Sequence, residues 1–103
     1  MDDWVFRELD RVRVKGKQEP VAIYEPLGPG GSVPDYVKQA TVRFSRALEH
    51  YRRQEWDPAE ALLKVLEAEG HQKVYGLYLE RIRHFRQVPP GSGWDGVFAF
   101  ETK

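Results

Sequence analysis

The sequence predicts an α+β fold with an N-terminal β-hairpin, three helices and a C-terminal strand positioned to join the hairpin. Two observations support this. Apolar residues alternate with polar or small ones around residues 12–14 and 21–23, the period-2 pattern of a half-buried strand. From residue 35 onward they recur every three or four residues, as on one face of a helix. A chain of 103 residues has room for one small domain.

The composition excludes several classes of protein. Basic and acidic side chains balance at 16 each, which argues against binding to nucleic acid through bulk charge. Because cysteine is absent, the chain has neither a disulfide framework nor a thiolate metal site. No apolar run approaches the roughly 20 residues of a membrane span, and no signal-peptide pattern opens the chain. We therefore expect a cytosolic segment.

The hairpin is predicted from two short alternating patterns. The first strand contains Val12 and Val14, and the second contains Val21 and Ile23. Between them lies a loop with Gly16, which can adopt positive φ. Leu9 is out of phase with Val12, so a bulge or bend is expected near Leu9–Asp10. A two-stranded hairpin is marginal in water, so this one must pack against another element.

Residues 28–34 have the Pro- and Gly-rich composition of a linker, and the helices follow it. The first helix carries an apolar stripe and ends near Arg53–Gln54. The stripe consists of Val37, Ala40, Phe44, Ala47, Leu48 and Tyr51. The second helix is predicted to begin with Asp57 as its N-cap and Pro58 at its first position, and to stop at Gly70.

The third helix is predicted over about residues 72–86, ended by Pro89-Pro90. Residues 94–102 are a short strand candidate, a third strand for the hairpin. The three tryptophans, Trp4, Trp56 and Trp94, are expected in the core or as caps.

The helical part contains an internal repeat. A shift of 34 residues aligns Phe44 with Tyr78, Leu48 with Ile82 and Tyr51 with Phe85. This is the tetratricopeptide period, and the second unit stops after its first helix. Such arrays are usually stable only with about three units, so the helices are expected to pack on the hairpin or the C-terminal strand.

One stretch of the sequence, residues 6–27, resembles the end of a class III adenylate/guanylate cyclase catalytic domain. In that family a strand ends in Val-Lys-Gly-Lys, turns, and returns as Pro-Val-x-Ile-Tyr-Glu. The corresponding residues here are Val14-Lys15-Gly16-Lys17 and Pro20-Val21-Ala22-Ile23-Tyr24-Glu25. The remainder is similar to the helical tail of bacterial membrane-anchored cyclases, including Trp94-Asp95-Gly96-Val97.

The resemblance divides the chain into a terminal catalytic-domain hairpin (1–27), a linker (28–34) and a helical tail with a C-terminal strand (35–103). It implies a full-length parent that converts ATP, or GTP, to a cyclic nucleotide and pyrophosphate, a phosphorus–oxygen lyase reaction in signalling. The implied partners are the rest of the catalytic domain and a second protomer, and the parent is expected at the bacterial inner membrane. The tail is expected to be a docking or regulatory element.

Among the family's functional residues, only Lys15 carries over, as a contact to the substrate triphosphate. The family's metal-binding aspartates and its transition-state Asn/Arg pair lie upstream of the matched motif, and this chain has no asparagine. Mg²⁺ or Mn²⁺ is therefore expected in the parent, with no cofactor and no catalytic residue in this chain. We expect the isolated chain to show no turnover.

The sequence is also compatible with other interpretations. The chain could be a stand-alone tetratricopeptide-like interaction module without cyclase function. The basic side of the third helix, with Tyr75, Tyr78 and Phe85 beside it, could bind nucleic acid, although a solvated face over a core stripe is the simpler interpretation. That basic side consists of Lys73, Arg81, Arg83, His84 and Arg86. A metal shared by His50 and His84 is a further possibility, against the commoner case of solvated or packed histidines.

Overall fold

A computed structural model describes residues 4–13, 19–70 and 72–99, and it confirms the α+β class. The elements in chain order are β1 (Trp4–Arg13), β2 (Val21–Pro29), α1 (Asp35–Arg52), α2 (Trp56–Glu69), α3 (Lys73–Gln87) and β3 (Phe98–Ala99). A short 3-10 turn over Gly30–Ser32 connects β2 to α1. The sheet order is β2-β1-β3, with β2 antiparallel and β3 parallel to β1.

The C-terminal strand joins the hairpin, as the sequence predicts. Phe98 and Ala99 pair with Val12 and Arg13 on the free edge of β1. The prediction of a strand over residues 94–97 is wrong, since only Phe98 and Ala99 are in strand, and residues 100–102 lie outside the described residues. The central position in the sheet therefore belongs to β1.

The predicted irregularity in β1 is also confirmed. Glu8 lies opposite Tyr24 and Asp10 lies opposite Ile23, so Leu9 is an extra residue with no counterpart in β2. In a regular strand, Arg7 and Asp10 would point to opposite faces because they are three residues apart. With the extra residue between them, both are buried on the side of the sheet that faces the helices.

The core lies among the three helices and is rich in aromatic rings. It consists of Phe44, Ala47, Leu48, Tyr51, Ala59, Leu63, Leu66, Tyr75, Tyr78, Ile82 and Phe85. Tyr51 packs edge-on against Tyr78 with ring centroids 4.8 Å apart. All three residue pairs aligned by the 34-residue repeat are buried here. The tetratricopeptide-like arrangement itself stays a prediction.

Two further element boundaries differ from the sequence prediction. β2 runs to Pro29, two residues into the predicted linker, because Gly28 and Pro29 pair with Val5 and Trp4. Helix α2 begins at Trp56 and not after Asp57. The Trp56 ring stacks on Phe85 at 5.5 Å, which draws the start of the helix back toward the core.

The predicted N-cap role of Asp57 is therefore wrong. The N-cap position is occupied by Glu55, which makes no side-chain capping hydrogen bond. The Asp57 carboxylate instead accepts a hydrogen bond from Arg86 at 2.8 Å. The core prediction for the tryptophans holds for Trp56 and Trp94, which pack against the core, but not for Trp4, which is about half exposed.

The segment after α3 forms a tight turn over Trp94–Val97. The Trp94 indole N–H donates to the Val97 carbonyl at 2.9 Å, and the Val97 N–H donates to the Asp95 carboxylate at 3.0 Å. The other Asp95 oxygen accepts a hydrogen bond from Arg13 in β1 at 3.0 Å. Slight burial raises the pKa of Asp95, but the hydrogen bonds from Arg13 and Val97 outweigh it and hold that pKa below its usual value.

Gly96 is required in this turn for two reasons. Its φ of +82° lies in the region that favours glycine. A Cβ added there would lie 2.6 Å from Cγ of Arg52, which packs against the turn.

We predict that Gly96→Ala lowers the free energy of unfolding by about 1–3 kcal/mol, because it adds backbone strain and a clash with Arg52. Gly93→Ala is the matched control, since a Cβ at Gly93 meets nothing within 4 Å. Urea unfolding followed by circular dichroism measures both variants. Equal stability of the two variants would contradict this account of the turn.

Candidate functional site at the hairpin

The residue with a predicted ligand role, Lys15, falls in residues 14–18, which lie outside the described residues. The structure describes the two strands that flank this segment. β1 ends at Arg13, β2 begins at Val21, and Val12 lies opposite Val21. The geometry of the candidate site is therefore that of the hairpin and of its contacts with the helices.

The central contact between hairpin and helices is an ion pair between Asp10 of β1 and Arg81 of α3. Two guanidinium nitrogens of Arg81 donate to the two carboxylate oxygens of Asp10, each at 2.9 Å. Both residues are more than nine-tenths buried. The Tyr78 hydroxyl lies 2.8 Å from the Leu9 carbonyl oxygen and 2.9 Å from the Asp10 carboxylate, so it binds at the bulge itself.

Aromatic rings enclose the Arg81 guanidinium. Its central carbon lies 3.9 Å from the ring centre of Phe98 in β3 and 5.1 Å from that of Tyr78. Burial alone would lower the pKa of Arg81, but the hydrogen bond with Asp10 raises it above its usual value. Burial also raises the pKa of the nearby Tyr51 hydroxyl to about 12, against a smaller opposing effect of Arg81. Arg81 therefore stays charged and Tyr51 stays neutral across the physiological range.

Other contacts between the hairpin and the helices also use charged side chains. Arg52 of α1 donates to Glu8 at 3.2 Å, and the Arg7 guanidinium lies 5.7 Å from the Phe44 ring centre. Val12 is the only buried apolar side chain of the described hairpin strands. The hairpin therefore contacts the helices mainly through charged side chains.

The opposite face of the hairpin exposes aromatic rings. Trp4 and Phe6 alternate along β1, and Tyr24 lies opposite Glu8, so all three belong to one face of the sheet. Each of the three is about half exposed. Strand β2 also lies at an edge of the sheet, so the backbone groups on its outer side face away from β1. The hairpin therefore carries an open apolar face and an open edge.

The structure does not support the metal site considered for the histidines. The Nδ1 atom of His50 lies 2.6 Å from Glu55, the His84 ring packs near Phe85, and His71 lies outside the described residues. Within the described ranges, no group of three or more His, Cys, Asp or Glu residues is arranged to hold a metal ion.

The basic side of α3 is not a continuous positive surface, because two of its arginines are paired with carboxylates. Arg81 is buried against Asp10, and Arg86 is paired with Asp57 and Glu60. The three rings considered for stacking on bases, Tyr75, Tyr78 and Phe85, are core residues.

The Asp10–Arg81 pair was missed by the sequence interpretation, which placed Arg81 on a basic face. A signal was present. Arg81 follows Tyr78 by three residues and precedes Phe85 by four, so it lies on the apolar stripe of α3 and not opposite it. An arginine at such a position needs a buried carboxylate partner. The position of Asp10 beside the predicted bulge made it a candidate.

Comparison of the chain with protein-family models found no match, and comparisons with curated proteins and with solved structures found no significant match. None of the helices in the described part of the chain combines the length and the apolar character needed to cross a membrane.

We predict that Arg81→Met lowers the free energy of unfolding by about 3–5 kcal/mol, because the Asp10 carboxylate stays buried without its partner. Arg83→Met is the matched control, since Arg83 is an exposed arginine of the same helix, and its change should stay within about 0.5 kcal/mol. The double variant Asp10→Leu/Arg81→Met should recover part of the loss. Urea unfolding of the four proteins measures this, and equal losses for Arg81→Met and Arg83→Met would contradict it.

Proposed function

We propose that this chain is the C-terminal segment of a class III nucleotide cyclase. In the full-length parent, the hairpin β1–β2 completes the catalytic sheet, and the helical tail docks on that hairpin. The reaction of the parent is the attack of the ribose 3′-hydroxyl on the α-phosphorus of ATP or GTP, with pyrophosphate as the leaving group. The proposal places the chain on the cytoplasmic side of a membrane-anchored signalling protein.

The observation that carries the proposal is the agreement between the matched motif and the observed pairing. In the cyclase family, the residues before Val-Lys-Gly-Lys and those from Pro-Val-x-Ile-Tyr-Glu are two consecutive strands. Here the residues before Val14 form β1 and those from Val21 form β2, and the two strands pair antiparallel with Val12 opposite Val21. A hairpin connecting these two halves of the motif is what the proposal requires.

The surroundings of the hairpin support the same proposal. Its contact with the helices is mostly charged, while Trp4, Phe6 and Tyr24 on its opposite face are about half exposed. An exposed set of large rings on one sheet face is a surface for another protein element. We assign that element to the remainder of the cyclase catalytic domain, which would cover the rings and continue the sheet.

The role left for this chain in catalysis is limited to binding. A lysine in a loop that contains glycine suits phosphate, because its ammonium is compact and its stem flexible. The described residues hold no carboxylate group suited to two metal ions, so Mg²⁺ or Mn²⁺ would be bound elsewhere in the parent. Lys15 would stabilise charge on the triphosphate, and the tail would hold the hairpin in place.

The proposal is tested with a chimera. Residues 4–27 replace the terminal hairpin of a class III cyclase of known activity, and production of cyclic nucleotide from ATP is measured. We expect the chimera to keep its turnover and Lys15→Ala to lower its kcat/KM by about 10- to 100-fold, the effect of losing one hydrogen bond to a charged group.

The control is Gln18→Ala, which changes the same loop without removing a charge. It should leave kcat/KM within about threefold of that of the unsubstituted chimera, a much smaller effect than the loss of a charged contact. An inactive chimera whose catalytic domain is folded would contradict the proposed function. Equal activities of the Lys15→Ala and Gln18→Ala chimeras would remove the role of Lys15.

A further inference from the structure

A cavity of about 670 Å³ lies between the hairpin and the helices, beside Arg7 of β1 and Glu25 and Leu27 of β2. The apolar part of its wall comes from Leu27, Val37, Ala40 and Leu66, and the ring of Tyr75 also lines it. Its charged lining residues are Arg7, Glu25, Arg43 and Glu69. The volume lies in the range of about 300–1,000 Å³ found for small-molecule sites.

Among the described residues, two arginines are buried, Arg7 and Arg81, and they differ in how well they are neutralised. Arg81 makes two hydrogen bonds to a buried carboxylate and lies against the Phe98 ring. Arg7 is also buried, at 8% exposure, but its carboxylate partner Glu25 is 42% exposed and binds through one guanidinium nitrogen, Nη2. The Nε atoms of both arginines are buried without a hydrogen-bond partner, so the difference lies in how each is paired with its carboxylate. A guanidinium that lines a cavity with such incomplete pairing is a site for an anion.

The charged side chains that line the cavity differ in how deeply they are buried. Arg7 is the buried one, whereas Glu25 and Glu69 are about half exposed. Arg43 donates to both carboxylate oxygens of Glu69, at 2.8 and 2.9 Å, so that pair neutralises itself. The interior of the cavity therefore offers one incompletely neutralised positive charge beside apolar walls.

We propose that this cavity binds a small organic monoanion, a carboxylate on an apolar body, with the carboxylate on Arg7 and the body against Leu66 and Ala40. A carboxylate matches the planar, forked donors of a guanidinium. A dianion such as a phosphate monoester is disfavoured, because Arg7 offers one positive charge and Glu25, at the same cavity, would repel a second negative charge. This inference does not depend on the proposed cyclase function.

The test uses the whole 103-residue chain and a matched pair of probes, 3-phenylpropanoate and its uncharged analogue 3-phenylpropan-1-ol. Binding is followed by NMR through the methyl groups of Leu66 and Ala40 and by calorimetry. We expect saturable binding of the carboxylate, at least about tenfold tighter than that of the alcohol, as for a hydrogen bond to a charged group.

Two variants distinguish binding through Arg7 from nonspecific binding to the apolar walls of the cavity. Arg7→Gln should remove the preference for the carboxylate, and Glu25→Gln should strengthen carboxylate binding about tenfold, because the competing internal carboxylate is gone. The control is Arg53→Gln, an exposed arginine that does not line the cavity, which should change nothing.

If Arg7→Gln does not fold, the Glu25→Gln variant still tests the proposal, because the expected result is a gain in affinity for the carboxylate. The proposal is overturned if neither the natural chain nor Glu25→Gln binds the carboxylate saturably. It is also overturned if acid and alcohol bind equally, or if Glu25→Gln weakens the binding of the acid.

Discussion

The structure depends on one buried ion pair, between Asp10 in the hairpin and Arg81 in the third helix. A hairpin of two strands has little stability of its own, and here it brings one buried apolar side chain, Val12, to the helices. Removing both charges from water is costly, so the pair stabilises the fold only because each carboxylate oxygen of Asp10 accepts a hydrogen bond from Arg81. The Tyr78 hydroxyl and the Phe98 ring also contact the pair.

The bulge at Leu9 and the turn at Trp94–Val97 both position residues of the Asp10–Arg81 contact. The extra residue in β1 places Arg7 and Asp10 on the same side of the sheet, facing the helices. The turn brings β3 to the free edge of β1 and so places Phe98 over Arg81. Specific charged contacts of this kind fix the position of the hairpin on the helices more narrowly than an apolar contact would, since a shifted hairpin would leave buried charges unpaired. In the proposed parent, the helical tail would therefore hold the catalytic-domain hairpin in one register.

The elements of the fold followed from local patterns that the sequence displays. Strand alternation, the phase break at Leu9 and the helical stripes depend on neighbouring residues, and each was predictable. The start of α2 was not, because the packing of Trp56 on Phe85 outweighs the capping tendency of Asp57. The site was harder to predict for the same reason. Asp10 and Arg81 are 71 residues apart, and only the assembled fold brings them together. The cavity at Arg7 depends equally on the gap between hairpin and helices, which no local pattern encodes.

The account makes the hairpin and the helices one cooperative unit, and native-state hydrogen exchange measures this directly. Backbone amides of β1, such as that of Val12, should exchange with the same free energy and the same urea dependence as core amides of α3, such as that of Ile82. That result would show that the Asp10–Arg81 contact does not open while the helices stay folded. Exchange of the β1 amides at a clearly lower free energy, with the α3 amides still protected, would contradict the account.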